Sequence, residues 1–467
     1  MSKLVGTLRE AVMAAGLKDH MTVSFHHHLR NGDYVLNMVL AEASEMGIRD
    51  LTVNASSLFD VHEPIIGHIK NHVVTGLEVN YMGQKVGRAI SEGIMEKPVI
   101  FRSHGGRAGD MENGSAKVDI AFIAVPCADN MGNMSGKYGP SACGSLGYAF
   151  SDAMYADKVV VITDYLVPYP LQDCSIPEGY VDYVVCVDRI GDASRIVSGT
   201  TKITRDPVGL RIAWLASQVV KHSGYLKDGF SFQTGAGGAS LAVAKYVEEM
   251  MEEEKITGSF CMGGITGYLV SMMEKGYFDT ILDVQCFDLA AVASIRENKR
   301  HREISASRYA SPVAKSSAVD SLDVVILGAT QADTDFHVNV HTDSNGNIMG
   351  GSGGHSDTAQ GAKLSIVAAP LIRARLPLIT DRVLCKSTPG ETIDVIVTQR
   401  GIAVNPRNQR LREALVRAGL PVRDIQELKK TAQDIAGVPK EVACKGRTVA
   451  KVLYRDGTLL DTIRAKS

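Results

Sequence analysis

The chain opens each half with a short strand that runs into a polar or glycine-rich loop and then a helix. The first copy is TVSFHHHLRNGDYVLNMVLAEA from Thr22, and the second is SFQTGAGGASLAVAKYVEEM from Ser231. Later segments correspond as well: VDIAFIAVPCADNMGNMSG from Val118 and LDVVILGATQADTDFHVNVHTDSNGNIMGG from Leu322. Asp119 and Asp323 are 204 positions apart, and Asn133 and Asn347 are 214 apart. A near-constant offset predicts two copies of one domain, with a longer loop in the second. We place the copies at 1–222 and 223–467, joined near 205–228, with a site between them.

Within each half, strand-length apolar runs alternate with helical patterns. The runs at 158–164, 181–188, 364–371 and 393–404 are continuous and rich in β-branched residues, as buried parallel strands require. Helices are predicted at 35–47, 207–222, 239–254 and 408–418. The helix 207–222 bridges the halves: Pro207 suits its first turn and Ser223-Gly224 its end. Asp456-Gly457, between two strand-like runs, predicts a C-terminal β-hairpin. The fold class is therefore α/β, in two tandem related domains with parallel-rich sheets.

A formal net charge of -2 and the lack of a long basic run give no pull toward nucleic acid or an anionic membrane. No apolar stretch reaches the ~18 residues needed to cross a bilayer. Leu4, Leu8, Val12 and Ala15 recur at helical spacing, which predicts an amphipathic N-terminal helix and not a signal peptide. The 8 cysteines form no C-x-x-C pair, so reduced thiols and a cytoplasmic setting are expected.

In open α/β sheets, ligands sit where strand ends meet helix starts. Three loops fit: His26-His27-His28-Leu29-Arg30-Asn31-Gly32, Thr234-Gly235-Ala236-Gly237-Gly238-Ala239-Ser240, and Gly350-Gly351-Ser352-Gly353-Gly354-His355-Ser356-Asp357. Glycines let backbone N–H groups converge on a phosphate or a developing oxyanion. No Gly-Lys-Ser/Thr follows, and Gly235-Ala236-Gly237 lacks the third glycine of a dinucleotide fingerprint, so a nucleotide P-loop and a nicotinamide cofactor are disfavoured. No metal is expected. Three successive histidines cannot face one ion from a strand end, although His26 and His28 share a face. His62, His68 and His72 do not form H-E-x-x-H, and Pro64 breaks that geometry. Arginine binds carboxylates in a planar fork. Arg30, Arg102, Arg107, Arg373 and Arg375, with His104 and His355, would together suit a polycarboxylate, the plain alternative being solvated faces and structural histidines. Glu112 reads better as an exposed loop acid than as a catalytic one, and Ser145 departs from nucleophile-elbow spacing.

These stretches carry a resemblance. TVSFHHHLRNGD, SHGGR, DIAFIAVPCAD, CGSLGYAFSDA, QTGAGGASLAVAKY, GGITGYLVSMMEKG, LDVQCFD, SGGHSDTA and GIAVNP closely resemble the alpha-chain family of citrate lyase, within the CoA-transferase superfamily. The resemblance covers nearly the whole chain. It implies a CoA-transferase-like (NagB/RpiA-like) fold and a reaction, acetyl-carrier thioester plus citrate giving citryl-carrier thioester plus acetate. It also implies partners: a beta chain that cleaves the citryl thioester, and a gamma chain, the acyl carrier protein. The carrier's phosphoribosyl-dephospho-CoA arm would serve as the thioester group, with CoA thioesters able to substitute and no cofactor bound covalently to this chain. An oligomer is expected.

On this reading Gly237, Gly238, Gly353, Gly354 and His355 are the catalytic candidates. His26, His28, Arg30, His104 and Arg107 are candidates for substrate contact, and Thr234, Gly235 and Ser352 for the thioester arm. Alternatives are a related transferase acting on citramalate or free CoA thioesters, a thioester hydrolase, and a non-catalytic sensor of CoA or sugar phosphates. Relatives in the wider superfamily use a glutamate ahead of the Gly-Gly loop as nucleophile. No Glu lies between Glu303 and Glu391, which predicts direct transfer unless Asp333, Asp335 or Asp343 substitutes.

Overall fold

The structure is a computed structural model that describes residues 2–197, 201–235, 237–440, 442 and 446–465. Ala236 of the second loop and Cys444 lie outside the described residues; the other seven cysteines are free thiols. No helix among the described residues is long and apolar enough to cross a membrane.

The architecture is mixed α/β with parallel-rich sheets. In the first large sheet, Tyr183–Cys186, Lys158–Thr163, Ile120–Val125, Thr22–Phe25, Leu51–Ala55, Val74–Val79 and Val99–Phe101 lie side by side, all parallel. In the second, Val395–Thr398, Leu364–Ala368, Val324–Leu327, Ser231–Thr234, Gly258–Ile265, Phe278–Cys286 and His301–Glu303 follow the same sequence-to-space order. Such strands are covered on both faces, so every residue of Ile120–Val125 and Val324–Leu327 is buried. Each fully buried Val or Ile contributes roughly 1.5–3 kcal/mol relative to exposure, upper estimates that chain entropy largely offsets.

Matching side chains pin the matching strands. Asp119 Oδ2 accepts from Thr22 N at 2.7 Å, and Asp323 Oδ2 accepts from Ser231 N at 2.9 Å. Small three-stranded sheets also correspond, with Leu166–Val167, Cys127–Asp129 and Met134–Ser135 in one and Ile379–Thr380, Gln331–Asp333 and Val338–Asn339 in the other. This corrects one pairing. Asp129 matches Asp333 at the same 204-residue offset, so Asn347 is not the counterpart of Asn133. Each Asn side chain donates to the Asp four residues before it at 2.8 Å. Tight turns reuse that chemistry locally, which makes unrelated turns look alike in sequence.

Three further expectations change. The N-terminal helix is Leu8–Ala14, capped by Thr7 and Glu10, while Leu4–Val5 forms an edge strand against Val184 and Val185. The run 393–404 is two antiparallel strands, Val395–Thr398 and Gly401–Val404. The helix Pro207–His222 has the expected bounds, with Asp206 Oδ2 accepting from Gly209 N at 2.8 Å. It packs against Gly238–Glu254 and Val395–Thr398, so it covers the second sheet and does not bridge. The change of sheet therefore precedes Pro207, ahead of the expected division at 222/223. The C-terminal hairpin, Thr448–Leu453 and Leu459–Arg464, forms as expected but returns to the first sheet, pairing parallel with Val99–Phe101.

Candidate active site

The site begins where the strand Thr22–Phe25 ends. His26 and His28 turn inward and hydrogen-bond each other through their Nδ1 atoms. His28 Nε2 accepts from Tyr148 N at 3.2 Å, which requires its proton on Nδ1 and makes His26 Nδ1 the acceptor. The pair shares a face, as expected, but that face is the interior. His27 takes the other side. Its ring stacks on Tyr148 (centroids 4.7 Å apart) and on His104 (5.7 Å), and its Nδ1 meets Ser56 Oγ at 2.6 Å.

Arg30 has a positive φ of 52° and a half-buried side chain. Its guanidinium carbon lies 4.5 Å from the Phe287 ring centroid and 5.5 Å from that of Phe59. These contacts are cation–π interactions, each worth about 0.5–2 kcal/mol. No carboxylate pairs with it among the described residues, and its Nη1 is buried without a hydrogen-bond partner. Burial lowers its pKa while Tyr81 and Tyr148 act to raise it. Arg107, by contrast, is fully engaged: Nε donates to Asn54 Oδ1 at 2.6 Å, and Nη1 and Nη2 fork onto Asp152 at 3.2 and 2.7 Å. It braces the site from beneath.

The second sheet supplies the other wall. The Gly350–Gly354 loop docks along the first unit, with Met82 N donating to Gly350 O at 3.0 Å, Gly353 N to Asn80 O at 3.2 Å and His104 N to Gly353 O at 2.8 Å. A Cβ on Gly351 would run into Asn80 O, which no backbone shift accommodates cheaply. Gly353 sits at φ 51°, beside the His104 ring. Gln285 also crosses between the sheets, its Nε2 donating to His27 O at 3.0 Å.

Thr234, Gly235, Gly237 and Gly238 lie at the start of the helix Gly238–Glu254. Thr234 Oγ1 donates to Ser240 O at 3.0 Å. Among the described residues, a Cβ on Gly235 or Gly237 would meet only Ser240 Oγ, at 3.7 and 3.8 Å. Tyr309 connects the two glycine loops: its hydroxyl accepts from Gln233 Nε2 at 2.9 Å and lies against Gly354.

Two expected contacts have internal partners. Ser352 Oγ bonds Ser356 Oγ at 2.7 Å. His355 Nε2 donates to Gly328 O at 2.9 Å, so Nδ1 accepts from Thr388 Oγ1 at 2.7 Å, and neither ring nitrogen is left for a ligand. The candidate nucleophiles are also committed. Asp333 accepts from the backbone of Asp335, His337 and Val383, Asp343 from Asn345 and Asn347, and Glu112 from Ser311 Oγ, while Asp335 is exposed. Arg373 and Arg375 are exposed and away from this cluster.

His68 lies in the last turn of the helix Ile65–Lys70 and His72 beyond it, while His62 pairs with Asp33 at 2.9 Å. One group among the described residues has metal-ligand types close together: Asp283, Cys286 and His301. It is closed by its own bonds, Cys286 Sγ and His301 Nε2 both meeting Asp283 Oδ2, at 3.0 and 2.8 Å. Sequence reading missed His27, Phe59, Tyr81, Tyr148, Phe287 and Asp357 as site-forming residues. Several lie inside conspicuous motifs, but no spacing says that they converge.

Burial penalises the charged imidazoles. It pushes His104 and His341 down to about 3 and His355 down to about 4. Unfolded imidazoles titrate near ~6.5. The unfolded chain therefore takes up these protons first, and stability present above about pH 6.5 is lost as pH falls toward 4. Three such groups steepen the loss by up to about 4 kcal/mol per pH unit near pH 5. Urea midpoints at pH 7, 6 and 5 should show this slope, to which His26, His27 and His28 add in the same direction, and His341→Gln should lower it by about 1.4 kcal/mol per pH unit. Equal midpoints across that range would contradict neutral burial.

The family description "Citrate lyase, alpha subunit (CitF)" matches residues 1–466. The citrate lyase alpha chain of Klebsiella pneumoniae is 48% identical over 462 residues, covering 99% of this chain and 91% of that relative. That of Escherichia coli K12 is 46% identical over 461 residues, covering 99% and 90%. A Streptococcus mutans crystal structure, described as a citrate lyase alpha subunit in complex with citrate, superposes with a TM-score of 0.98 at 49% identity, covering 100% of this chain and 92% of that one. A Pseudomonas malonate decarboxylase hetero-tetramer chain shares the fold alone, with a TM-score of 0.70 at 15% identity over 95% of each chain. Full-length matches of this strength, over the loops that meet at the site, establish that the chain belongs to the citrate lyase alpha-subunit family.

Proposed function

We propose that the chain exchanges acetyl for citryl on a carrier thioester by direct transfer within a ternary complex. The observation that carries this reading is Arg30, a cation clamped between Phe59 and Phe287 with no carboxylate partner among the described residues. A half-buried cation with an enclosed, unpartnered nitrogen and no counter-charge is costly, and a citrate carboxylate would satisfy it. His104 Nδ1, also buried and unpartnered, offers a second polar contact. A citrate carboxylate oxygen attacks the acetyl thioester carbonyl, the C–S bond breaks and the carrier thiolate leaves. The thiolate then attacks the citryl carbonyl of the mixed anhydride and expels acetate. N–H groups of Gly237, Gly238 and Gly354 would hold the oxyanions, Gly353 N being spent on Asn80 O, and proximity would supply much of the rate.

The finer reading includes two tandem CoA-transferase-like (NagB/RpiA-like) domains, supported by the shared strand order. It also includes beta and gamma partner chains, a phosphoribosyl-dephospho-CoA arm, an oligomer and a cytoplasmic location. Purified chain given acetyl-CoA and citrate should form citryl-CoA and acetate in equal amounts by sequential kinetics, without oxaloacetate. Hydroxylamine or borohydride trapping with peptide mass analysis should find no modified carboxylate. A stoichiometric adduct on Asp333, Asp335, Asp343 or Glu112 would refute direct transfer.

A further inference from the structure

A cavity of about 1100 Å³ lies away from Arg30. It opens between the small sheet carrying Gln331 and the strand Leu459–Arg464, so it is built entirely from residues 331–464. Lys386 N donates to Asp461 Oδ2 at 2.7 Å and ties the two walls together. A second cavity of about 210 Å³ shares Ser344, Asn345 and Leu376 with the first and continues it to Ala329, Thr330 and Met349. Ala329 follows Gly328, the residue that takes His355 Nε2, and Met349 precedes the Gly350–Gly354 loop. One groove thus runs from the glycine loop to the C-terminal hairpin.

Its charge is mixed, with a cationic excess: Arg373, Arg382, Lys440 and Arg464 against Asp343, Asp381 and Asp461. Arg373, Arg382, Lys440 and Arg464 line it, and none has an ion-pair partner among the described residues. Of the acids along it, Asp381 is ion-paired with Lys429, while Asp343 and Asp461 accept from neutral N–H groups and keep their charge, so the excess is one the four cations carry together. Ala374 and Arg375 cap the groove's edge in a two-residue hairpin turn with φ of 49° and 66°. Such a turn favours Asn-Gly, so its non-glycine residues carry strain of the kind found at binding sites. The matching cavity in the first small sheet is instead lined by Tyr138, Tyr165, Val167 and Leu171, so the cations belong to the second copy alone. Ligand sites commonly enclose roughly 300–1,000 Å³.

We propose that this groove holds the phosphate-bearing nucleotide end of the thioester carrier, with the acyl end reaching the Gly350–Gly354 loop past Ala329. This rests on the transferase reading and adds to it the place where the carrier is gripped. Exposed cations each contribute modestly, so the effect should appear on combining them.

The test uses the full chain with dephospho-CoA and pantetheine as calorimetric probes, and acetyl-CoA and S-acetylpantetheine as substrates. Combining Arg382→Glu, Lys440→Glu and Arg464→Glu should weaken dephospho-CoA binding by about tenfold or more and raise the acetyl-CoA KM alike. Pantetheine binding, S-acetylpantetheine KM, citrate KM and kcat should stay within about twofold. Higher salt should erase most of the difference. If the triple variant does not fold, Arg382→Gln should give a smaller loss of the same pattern. Unchanged dephospho-CoA binding, an equal loss for pantetheine, or a loss produced instead by Lys202→Glu at the separate cavity beside Gly267 would overturn the proposal. Dephospho-CoA binding through these cations in a chain without exchange activity would uphold the groove and refute the transferase reading. Exchange with an unaltered acetyl-CoA KM in the triple variant would refute the groove alone.

Discussion

Asp357→Ala is expected to destabilise the protein by about 3–5 kcal/mol and to reduce exchange activity further still. The Asp357 carboxylate is fully buried and joins three separate parts of the chain. It accepts from Ser103 Oγ at 2.8 Å and from Gly105 N at 2.9 Å, and Arg455 Nε lies 3.5 Å away. Ser103 caps the helix His104–Glu112, Arg455 sits in the C-terminal hairpin turn, and Asp357 belongs to the helix that follows the Gly350–Gly354 loop. Burial pushes its carboxyl pKa up, and Arg455 pulls it back. Removing the carboxylate strands a helix N-terminal N–H and leaves Arg455 without its counter-charge. It also frees Ser103 and Gly105, which flank the His104 N to Gly353 O bond, so activity should fall even where the chain stays folded. Asp357→Asn keeps an acceptor and should lie between. Urea unfolding by circular dichroism, paired with the exchange rate, checks both effects. An Ala variant within about 1 kcal/mol of the parent would remove Asp357 from this joint role.

Arg30→Ala should raise the citrate requirement about 10- to 100-fold while leaving the acetyl-thioester KM nearly unchanged. A charge-assisted bond to a carboxylate is worth ~1.5–3 kcal/mol, and among the described residues Arg30 has no carboxylate partner to release in compensation. Arg30→Lys should recover only part of the loss, because an ammonium neither forks onto a carboxylate nor stacks between Phe59 and Phe287 in the same way. Arg107→Ala makes the contrast: with both partners inside the protein it should lower stability and kcat together, without a selective citrate effect. Steady-state kinetics with each substrate varied separately decides. Unchanged citrate dependence in Arg30→Ala would take Arg30 out of the site.

Much of the architecture was legible because its signals are local. The strands Lys158–Thr163 and Leu364–Ala368 announced themselves as β-branched runs, since a strand covered on both faces tolerates little else. The helix Pro207–His222 was bounded by its cap and its proline. Its partner was not legible, because an amphipathic face specifies that something covers it and not which sheet does. The turn at Asn347 misled for a related reason: turn chemistry is set by four or five residues and carries no information about the strands around it.

The site divides in the same way. Sequence by itself determined the family, the three loops and the residue types that gather near strand ends. Only the tertiary structure decided which of those residues have unmet valences. Arg30, Arg107 and His355 look equivalent as letters, yet Arg107 and His355 spend their donors on Asp152, Asn54 and Gly328, while Arg30 keeps a buried nitrogen unpaired. His27, judged the outsider of its run, faces the site because the alternation of a strand aims its neighbours inward. Each of these outcomes depends on partners tens to hundreds of positions away, such as Asp357 with Ser103 or Gln285 with His27. Hydrogen-bond satisfaction is a property of atoms brought together in space, and a linear pattern states which groups exist without stating which of them meet.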